Sequence, residues 1–353
     1  MKTGSSPGKV AIRIADSDID FHAEPGDPLL RAALRSGIGM AYDCNSGGCG
    51  SCQIELVEGE IEDIWPEAPG IGARARKRGR LLACQCRPLS DCVVEARVED
   101  RFRPVVLPQR RSVRLVGFRP ITHDLAEFTF ASEDGKADFQ PGQYAMLAIP
   151  GVEGERAYSM ANLANAEGQW SFVIKRMAGG AASNRLFDER EALEGLELDG
   201  PYGTAYLREE TPRDIILVAG GSGLSPILSI AAGIARSEKL AGKRVMVFYG
   251  GREAKDLCAA RQLDRLFPDG HRFEVIEATS EGEEGAWEAG ASRVQYKGFI
   301  HEVLAAYLKE NALDFGGFCY YFCGPPPMTN ALIRMLQLEF NVPEDQLFFD
   351  SFL

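Results

Sequence analysis

Apolar and polar positions alternate in short runs at the start of the chain. Val10–Ile14 and residues 19–22 read as two strands, and the polar stretch Ala15-Asp-Ser-Asp18 between them predicts a hairpin. The period then lengthens. Leu29, Leu30, Ala33 and Leu34 recur at helical spacing behind Asp27-Pro28, with Asp27 placed to cap the helix and Pro28 to open its first turn. A further strand is predicted over residues 53–57. Residues 1–98 are therefore expected to form a small mixed β domain with one helix across it.

Residues 99–111 carry two prolines, four arginines and no period, which predicts a linker. Beyond it, residues 112–210 hold closely spaced strand patterns at 113–118, 125–130, 144–149 and 170–175. Strands so spaced, with turn residues between them, predict a small antiparallel barrel. From 211 to 353 the pattern alternates. Short apolar runs at 215–219, 245–249, 273–278 and 320–323 are separated by helical segments such as 226–236 and 328–340, the signature of buried parallel strands wound with helices.

Composition narrows the class without changing this picture. A chain of 353 residues with 45% hydrophobic and 25% charged residues has the profile of a folded protein of two or three domains. No apolar stretch approaches the roughly 18 residues of a membrane span, and the first residues lack the apolar core of a signal peptide, so a cytoplasmic location is expected. The net charge of −12 argues against a nucleic-acid partner, which would need basic residues to neutralise phosphates. One basic run stands out from it, RARKRGR at residues 74–80, readable as a solvated helix face or as a docking patch.

Chemistry enters through the nine cysteines, which in such a chain read as thiols and metal ligands, not disulfides. Cys44, Cys49 and Cys52 stand at C-x4-C-x2-C, the plant-type spacing for a [2Fe–2S] cluster. Gly47, Gly48 and Gly50 allow the positive φ angles of a loop that wraps so tightly. Zinc usually takes paired C-x2-C knuckles, and only one such pair occurs here. The fourth ligand stays open on spacing alone: Cys84 fits, Cys86 would share its face of an extended strand, and Cys92 is a third candidate.

Two kinds of nucleotide cradle follow. At Ala219-Gly-Gly-Ser-Gly-Leu-Ser-Pro226 a strand enters a glycine turn and then a helix, where backbone N–H groups and the helix terminus can meet a pyrophosphate; the alternative is an ordinary turn. Tyr249-Gly-Gly-Arg252 and Cys323-Gly-Pro-Pro-Pro-Met328 also end strands of this domain. Arg252 could hold ribose or phosphate and Cys323 could face a nicotinamide, or they are an exposed arginine and a packed cysteine. In the barrel stretch, Arg156-Ala-Tyr-Ser159 suits a flavin nucleotide: the guanidinium meets phosphate, the phenol packs on the ring, and the hydroxyl reaches the redox-active nitrogen. Gly180 and Ser183 would meet the pyrophosphate at a helix start.

Taken in order, these motifs resemble the iron–sulfur flavoprotein reductases of the ferredoxin–NADP reductase superfamily, over nearly the whole chain. The narrower likeness, carried by residues 42–52, Trp65-Pro-Glu-Ala-Pro-Gly70 and Leu82-Ala-Cys-Gln-Cys86, is to the reductase components of bacterial multicomponent oxygenases. Those serving toluene and alkene monooxygenases with a diiron hydroxylase are the most similar. The resemblance implies a β-grasp-like [2Fe–2S] domain, a six-stranded antiparallel FAD-binding barrel and a parallel α/β NAD-binding domain. It implies Cys84 as the fourth cluster ligand. For FAD it implies Arg156, Ala157, Tyr158, Ser159, Val173, Lys175, Gly180, Ala182 and Ser183. For NADH it implies Gly221, Ser222, Gly223, Pro226, Gly250, Arg252, Cys323 and Gly324, with Ser159 and Cys323 acting at the hydride-transfer centre. Ser222 stands where relatives commonly have Thr. Phe352 stands in for the aromatic many relatives place against the flavin, or is a core-packing residue. The implied activity is electron transfer from NADH through FAD and the cluster to an oxygenase component or its Rieske ferredoxin. A Rieske-type dioxygenase reductase is the second reading, and a flavin and iron–sulfur redox sensor the third.

Overall fold

The computed structural model describes residues 8–281 and 293–351. They divide into two compact units. One comprises the described residues up to Arg110 together with Asp199–Thr204, and the other comprises Arg111–Leu198 and the described residues from Ala205 onward.

The first unit is built on a mixed sheet of β1 (Val10–Ile14), β2 (Asp20–Ala23), β3 (Gln53–Glu58), β5 (Arg80–Leu82) and β7 (Cys92–Ala96), ordered β2-β1-β7-β3-β5. A small side sheet pairs β4 (Ile61–Asp63) with β6 (Cys86–Pro88). β1 and β2 form the expected hairpin, with Ile12 opposite Phe21, and β1 runs parallel to β7. α1 (Leu29–Arg35) buries Leu29, Leu30, Ala33 and Leu34 as their spacing predicts. Its start differs from expectation by one residue: Pro28 is the cap, and Asp27 makes no capping bond. The reason is competition, since Arg35 and Arg110 hold the Asp27 carboxylate at 2.8 and 3.2 Å. The expected linker is also not bare chain. Phe102, in a short turn at Asp100–Phe102, is buried, and the next strand starts at Gln109.

Beside Asp27 lies a buried charge network. Asp199 receives Arg31 at 3.2 Å, Arg35 at 2.6 Å and the Tyr202 hydroxyl at 2.9 Å, with Arg31 and Asp199 both almost wholly out of water. Burial acts to raise the Asp199 carboxyl, but Arg31, Arg35 and the Tyr202 hydroxyl outweigh it and hold the group below its ordinary range.

β8 (Gln109–Pro120), β9 (Leu125–Ser132), β10 (Tyr144–Ala148), β11 (Glu155–Ser159), β12 (Gln169–Lys175) and β13 (Leu196–Tyr202) make one six-stranded antiparallel sheet, ordered β11-β10-β13-β8-β9-β12, which belongs to the second unit apart from Gln109, Arg110 and Asp199–Tyr202. A bridge between Met160 and Phe172 joins its two ends, so the sheet closes into a barrel filled by Phe128, Phe130, Trp170 and Phe172. Closure removes the exposed edges that an open sheet would present. α3 (Ala181–Asp188) follows β12.

The remaining sheet is parallel throughout: β14 (Asp214–Gly220), β15 (Val245–Gly251), β16 (Glu274–Thr279), β17 (Arg293–Lys297), β18 (Phe318–Gly324) and β19 (Leu347–Ser351) run in the order β17-β16-β15-β14-β18-β19. α4 (Leu224–Arg236) and α5 (Ala259–Leu266) cover one face, α6 (Ile300–Glu310) and α7 (Pro326–Arg334) the other. The helix expected over 328–340 begins earlier, because prolines tolerate a first helical turn, and it gives way to a wider turn at Met335–Glu339. Leu125 and Val173 of the barrel pack in the same apolar cluster as Leu217, Ala219 and Leu224. That shared core is why the barrel and the parallel sheet form one unit.

Replacing Asp199 with alanine strips the counter-charge from two guanidiniums and is expected to cost roughly 3–5 kcal/mol in urea unfolding. The sign in pH follows from the lowered carboxyl: its contribution is intact above the unfolded value near about 4 and is lost as pH falls through the lower folded value. The alanine variant should lack that part of the acid sensitivity of the parent chain.

Candidate cofactor sites

The cysteine loop turns through left-handed backbone at Asn45 (φ 52°), Gly47 (84°) and Gly50 (81°), while Gly48 does not take part. Close approach adds a second demand on two of these glycines. A Cβ on Gly50 would stand 2.2 Å from the carbonyl oxygen of Gly70, and one on Gly47 3.0 Å from the Trp65 ring. The wrap turns amides toward sulfur: Ser46 and Cys49 N–H point at Cys44 Sγ at 3.4 and 3.3 Å, and Ser51 N–H at Cys49 Sγ at 3.4 Å. Contact with the Cys49 thiol first, then the Ser46 and Cys49 amides, bring the Cys44 thiol down to about 6 against the opposing effect of burial.

The sulfurs group in two pairs. Cys52 Sγ lies 3.4 Å from Cys84 Sγ, and the Cys49 thiol is the neighbour that acts most on the Cys44 thiol. One zinc ion with four sulfurs at about 2.3 Å would hold them all roughly 3.8 Å apart. Among the described residues, only His123, Asp124 and Asp256 form a metal-ligating set closing within 4.8 Å, so no three cysteines do. Two separate pairs match the donor set of a two-iron cluster, in which each iron takes two thiolates. Cys86 stands apart from this grouping. Cys84 lies in a tight turn at Ala83–Gln85 that breaks strand alternation, so the two do not share a strand face; Cys86 opens β6 opposite Asp63, and burial pushes its thiol up to about 12. Cys92 faces the Glu60 and Ser90 carbonyls.

Asn45 was not singled out by its sequence. Its side chain is buried, and Oδ1 accepts from Arg31 Nε at 3.4 Å. Arginine only donates, so the amide orientation is set and Nδ2 faces away from it, buried and without a partner among the described residues. A buried unpaired N–H costs about 1–3 kcal/mol. Next to Cys44, a sulfur acceptor of a cluster is the group that would satisfy it.

In the barrel, Ser159 ends β11 with its hydroxyl unpaired among the described residues, and burial raises the neighbouring Tyr158 phenol to about 12. Ala157 lies between Tyr158 and Arg156, whose guanidinium meets the Glu153 and Glu155 carbonyls. Val173 and Ala182 are buried, and Lys175 pairs with Asp124 at 3.1 Å. Gly180 gives α3 no side-chain cap, and a Cβ there would stand 2.7 Å from Ser183 Oγ. Ser183 itself takes the Met177 N–H at 3.0 Å, which folds the 177–183 turn back on the helix start. These residues fit a nucleotide phosphate presented to backbone amides.

The parallel sheet reverses its winding between β14 and β18, and the crevice at that switch point is where ligands bind in such sheets. The Gly221-Ser222-Gly223 turn follows β14, and Cys323-Gly324 ends β18. Gly221 has φ 56°, and a Cβ on Gly223 would fall 2.0 Å from the Cys323 carbonyl oxygen, so only glycine admits this approach. Gly250 is likewise crowded by Ile300, and a Cβ on Gly324 would meet Met328. Arg252 is exposed, its side chain without a partner among the described residues. Pro226 and Cys323 line one small cavity with Phe348 and Asp350, two residues of β19 that sequence reading missed. Phe352 lies outside the described residues.

One bridge joins the two cradles. Ser225 Oγ donates to the Ser159 carbonyl at 2.6 Å and accepts the Val173 N–H at 2.9 Å, and Ser229 reaches the Asn162 carbonyl at 2.6 Å. Nothing in the sequence marks these serines, whose partners lie dozens of residues away.

Comparison with known proteins places families on the same stretches: a 2Fe-2S iron-sulfur cluster binding domain on residues 12–89, an oxidoreductase FAD-binding domain on 112–206 and an oxidoreductase NAD-binding domain on 217–333. Ferredoxin–NAD(P)(+) reductase CarAd of Metapseudomonas resinovorans is 42% identical over 93% of this chain and 95% of its own length. The ferredoxin–NAD(+) reductase component of the alkene monooxygenase system of Xanthobacter autotrophicus is 38% identical over 94% and 98%. Among solved structures, the ferredoxin reductase in carbazole 1,9a-dioxygenase superposes with a TM-score of 0.86 at 36% identity, over 98% of this chain and 99% of that one.

Three substitutions test the cluster site. Cys84→Ser should lose the visible absorption and iron content of the purified protein, whereas Cys86→Ser should keep both. Asn45→Ala should leave iron content unchanged but lower the cluster's reduction potential in an EPR-monitored titration. Loss of one hydrogen bond of about 1 kcal/mol corresponds to roughly 40 mV for one electron.

Proposed function

We propose, from the premise that this chain belongs to the [2Fe–2S] flavoprotein reductases that include the ferredoxin–NAD(P)(+) reductases, that it supplies electrons from NADH to the oxygenase system of a hydrocarbon monooxygenase. When bound, FAD takes a hydride from the nicotinamide as two electrons, and the [2Fe–2S] cluster hands electrons on singly.

The observation that carries this reading is the Ser225 bridge. It fastens the first turn of α4, which carries the nicotinamide cradle, to the carbonyl of Ser159 and the amide of Val173 in the flavin cradle. Hydride transfer requires the two rings in contact, and a bridge of this length holds their protein walls together without a water layer between them. The residues named for each cofactor in the sequence are retained as its binding set, and Cys44, Cys49, Cys52 and Cys84 as the cluster ligands. Cys323, wholly buried at the end of β18, borders the nicotinamide; its thiol is raised well above the ordinary range by burial, then by Asp350, and so is present as the neutral S–H. The division into residues 1–98, 112–210 and 211–353 is retained as the functional one.

Arg252 has a free guanidinium where a 2′-phosphate could pair, yet Glu253 and Asp256 stand beside it, Asp256 accepting its backbone N–H at 3.0 Å, and carboxylates favour a ribose diol over a 2′-phosphate, so NADH is the assigned donor. A second reading is supported by likeness to the carbazole dioxygenase ferredoxin reductase: the acceptor is then a Rieske-type ferredoxin.

Turnover of the loaded protein with ferricyanide and with cytochrome c should be rapid with NADH and at least about tenfold slower with NADPH. Absence of NADH turnover with both acceptors would refute the reductase reading and favour a sensor. Stopped-flow mixing with a diiron hydroxylase and with a Rieske-type ferredoxin separates the two acceptors.

A further inference from the structure

We infer that the segment Ile64–Arg80 is the docking surface through which this protein engages an acidic electron-accepting protein, with Trp65 at its apolar centre and Arg74, Lys77 and Arg78 as its cationic rim. The inference rests on the reading that electrons leave through the cluster to a protein acceptor.

The segment is bound to the cluster loop by backbone contact. Gly70 N–H donates to the Gly47 carbonyl at 2.9 Å, and neither Gly50 nor Gly70 could carry a Cβ in this arrangement. Ile64 N–H donates to the carbonyl of Gln85, the residue after Cys84. The segment therefore touches the chain next to Cys84 and the loop holding the other three cysteines. Trp65 rests on Gly47 and still leaves 43% of its surface to water, and Ile64 leaves 36%. A large exposed aromatic beside an aliphatic neighbour is the composition of an interface centre.

Charge gives the kind of partner. α2 (Ala73–Arg76) turns back on the segment through Arg76, which reaches the Ala68 carbonyl at 2.7 Å and Asp63 at 3.6 Å. Arg80 pairs with Glu55 at 2.8 Å. Arg74, Lys77 and Arg78 are exposed and have no carboxylate partner among the described residues. Residues 64–80 hold one carboxylate, Glu67, against five cations, in a chain whose net charge is −12. A cationic island on an acidic protein repels an acidic acceptor everywhere else and orients it here. Cys49 is the exposed thiol of the quartet, while Cys52 and Cys84 are buried. The cluster loop thus meets solvent at Cys49, and the segment hydrogen-bonded to that loop carries this island.

The test uses the full loaded protein with three acceptors: an acidic [2Fe–2S] ferredoxin, the basic protein cytochrome c, and ferricyanide. The triple variant Arg74→Glu, Lys77→Glu, Arg78→Glu should slow ferredoxin reduction at low salt by about tenfold or more and leave ferricyanide turnover with NADH unchanged. For the parent chain, ferredoxin reduction should fall as salt rises, and in the variant that dependence should flatten or reverse. Unchanged ferredoxin kinetics in the variant would overturn the docking surface, as would a salt-insensitive rate in the parent. A variant that loses its cluster absorption is replaced by Arg78→Gln and Lys77→Gln singly, each expected to raise the ferredoxin KM about twofold to threefold. Failure of the parent to reduce ferricyanide with NADH would instead count against the reductase reading, which keeps the two failures distinct. Trp65→Ala with iron content intact should slow ferredoxin without altering the salt slope.

Discussion

A carboxylate with almost no access to water, Asp199, has to be neutralised where it lies, and the fold of the N-terminal unit is arranged around that requirement. Arg31 and Arg35 supply the charge and Tyr202 the remaining hydrogen bond. Arg31 also donates through Nε to Asn45 Oδ1. That single bond decides which way the Asn45 amide faces and leaves its NH₂ beside the cysteine loop. The Asp199 network and the cysteine loop are thus linked through Arg31 and Asn45. Replacing the network by apolar residues could preserve stability, but it would release the amide.

The cysteine loop and the nicotinamide turn solve a similar problem by the same means. Each brings backbone to within touching distance of backbone, Gly50 against Gly70 in one and Gly223 against the Cys323 carbonyl in the other. The reason is that backbone amides meet both a pyrophosphate and the sulfurs of a thiolate-held cluster, and amides can converge only where no side chain intervenes. Glycine is needed twice over, for left-handed φ at Gly47, Gly50 and Gly221 and for the absence of Cβ at Gly70 and Gly223.

Burial also differs between the candidate cofactor sites. Cys323, Val173 and Ser159, the residues proposed to border the hydride-transfer centre, are shielded from water. Cys49 is the exposed thiol of the quartet. The net charge of −12 keeps the molecule soluble and leaves the 74–80 run as its conspicuous exception.

Much of this architecture was legible in the residues because it follows from local periodicity and covalent spacing. Alternation marked the β1–β2 hairpin, apolar runs marked β14, β15 and β18, and C-x4-C-x2-C marked three of the cysteines brought together in the loop. Three local readings failed, one to side chains elsewhere in the chain and two to local backbone geometry. Asp27 left its helix cap for Arg35 and Arg110, Cys86 lost its place beside Cys84 to a tight turn, and the final helix started at its prolines and ended in a wider turn. The sequence by itself determined the order of the modules, the types of their elements and the glycines on which the cradles depend. Only the tertiary structure decided that the sulfurs group as two pairs, that Ser225 fastens one cradle to the other, and that Arg31 orients Asn45. Those are contacts between residues far apart in the chain, selected by what packing leaves unpaired, and no spacing along the sequence encodes them.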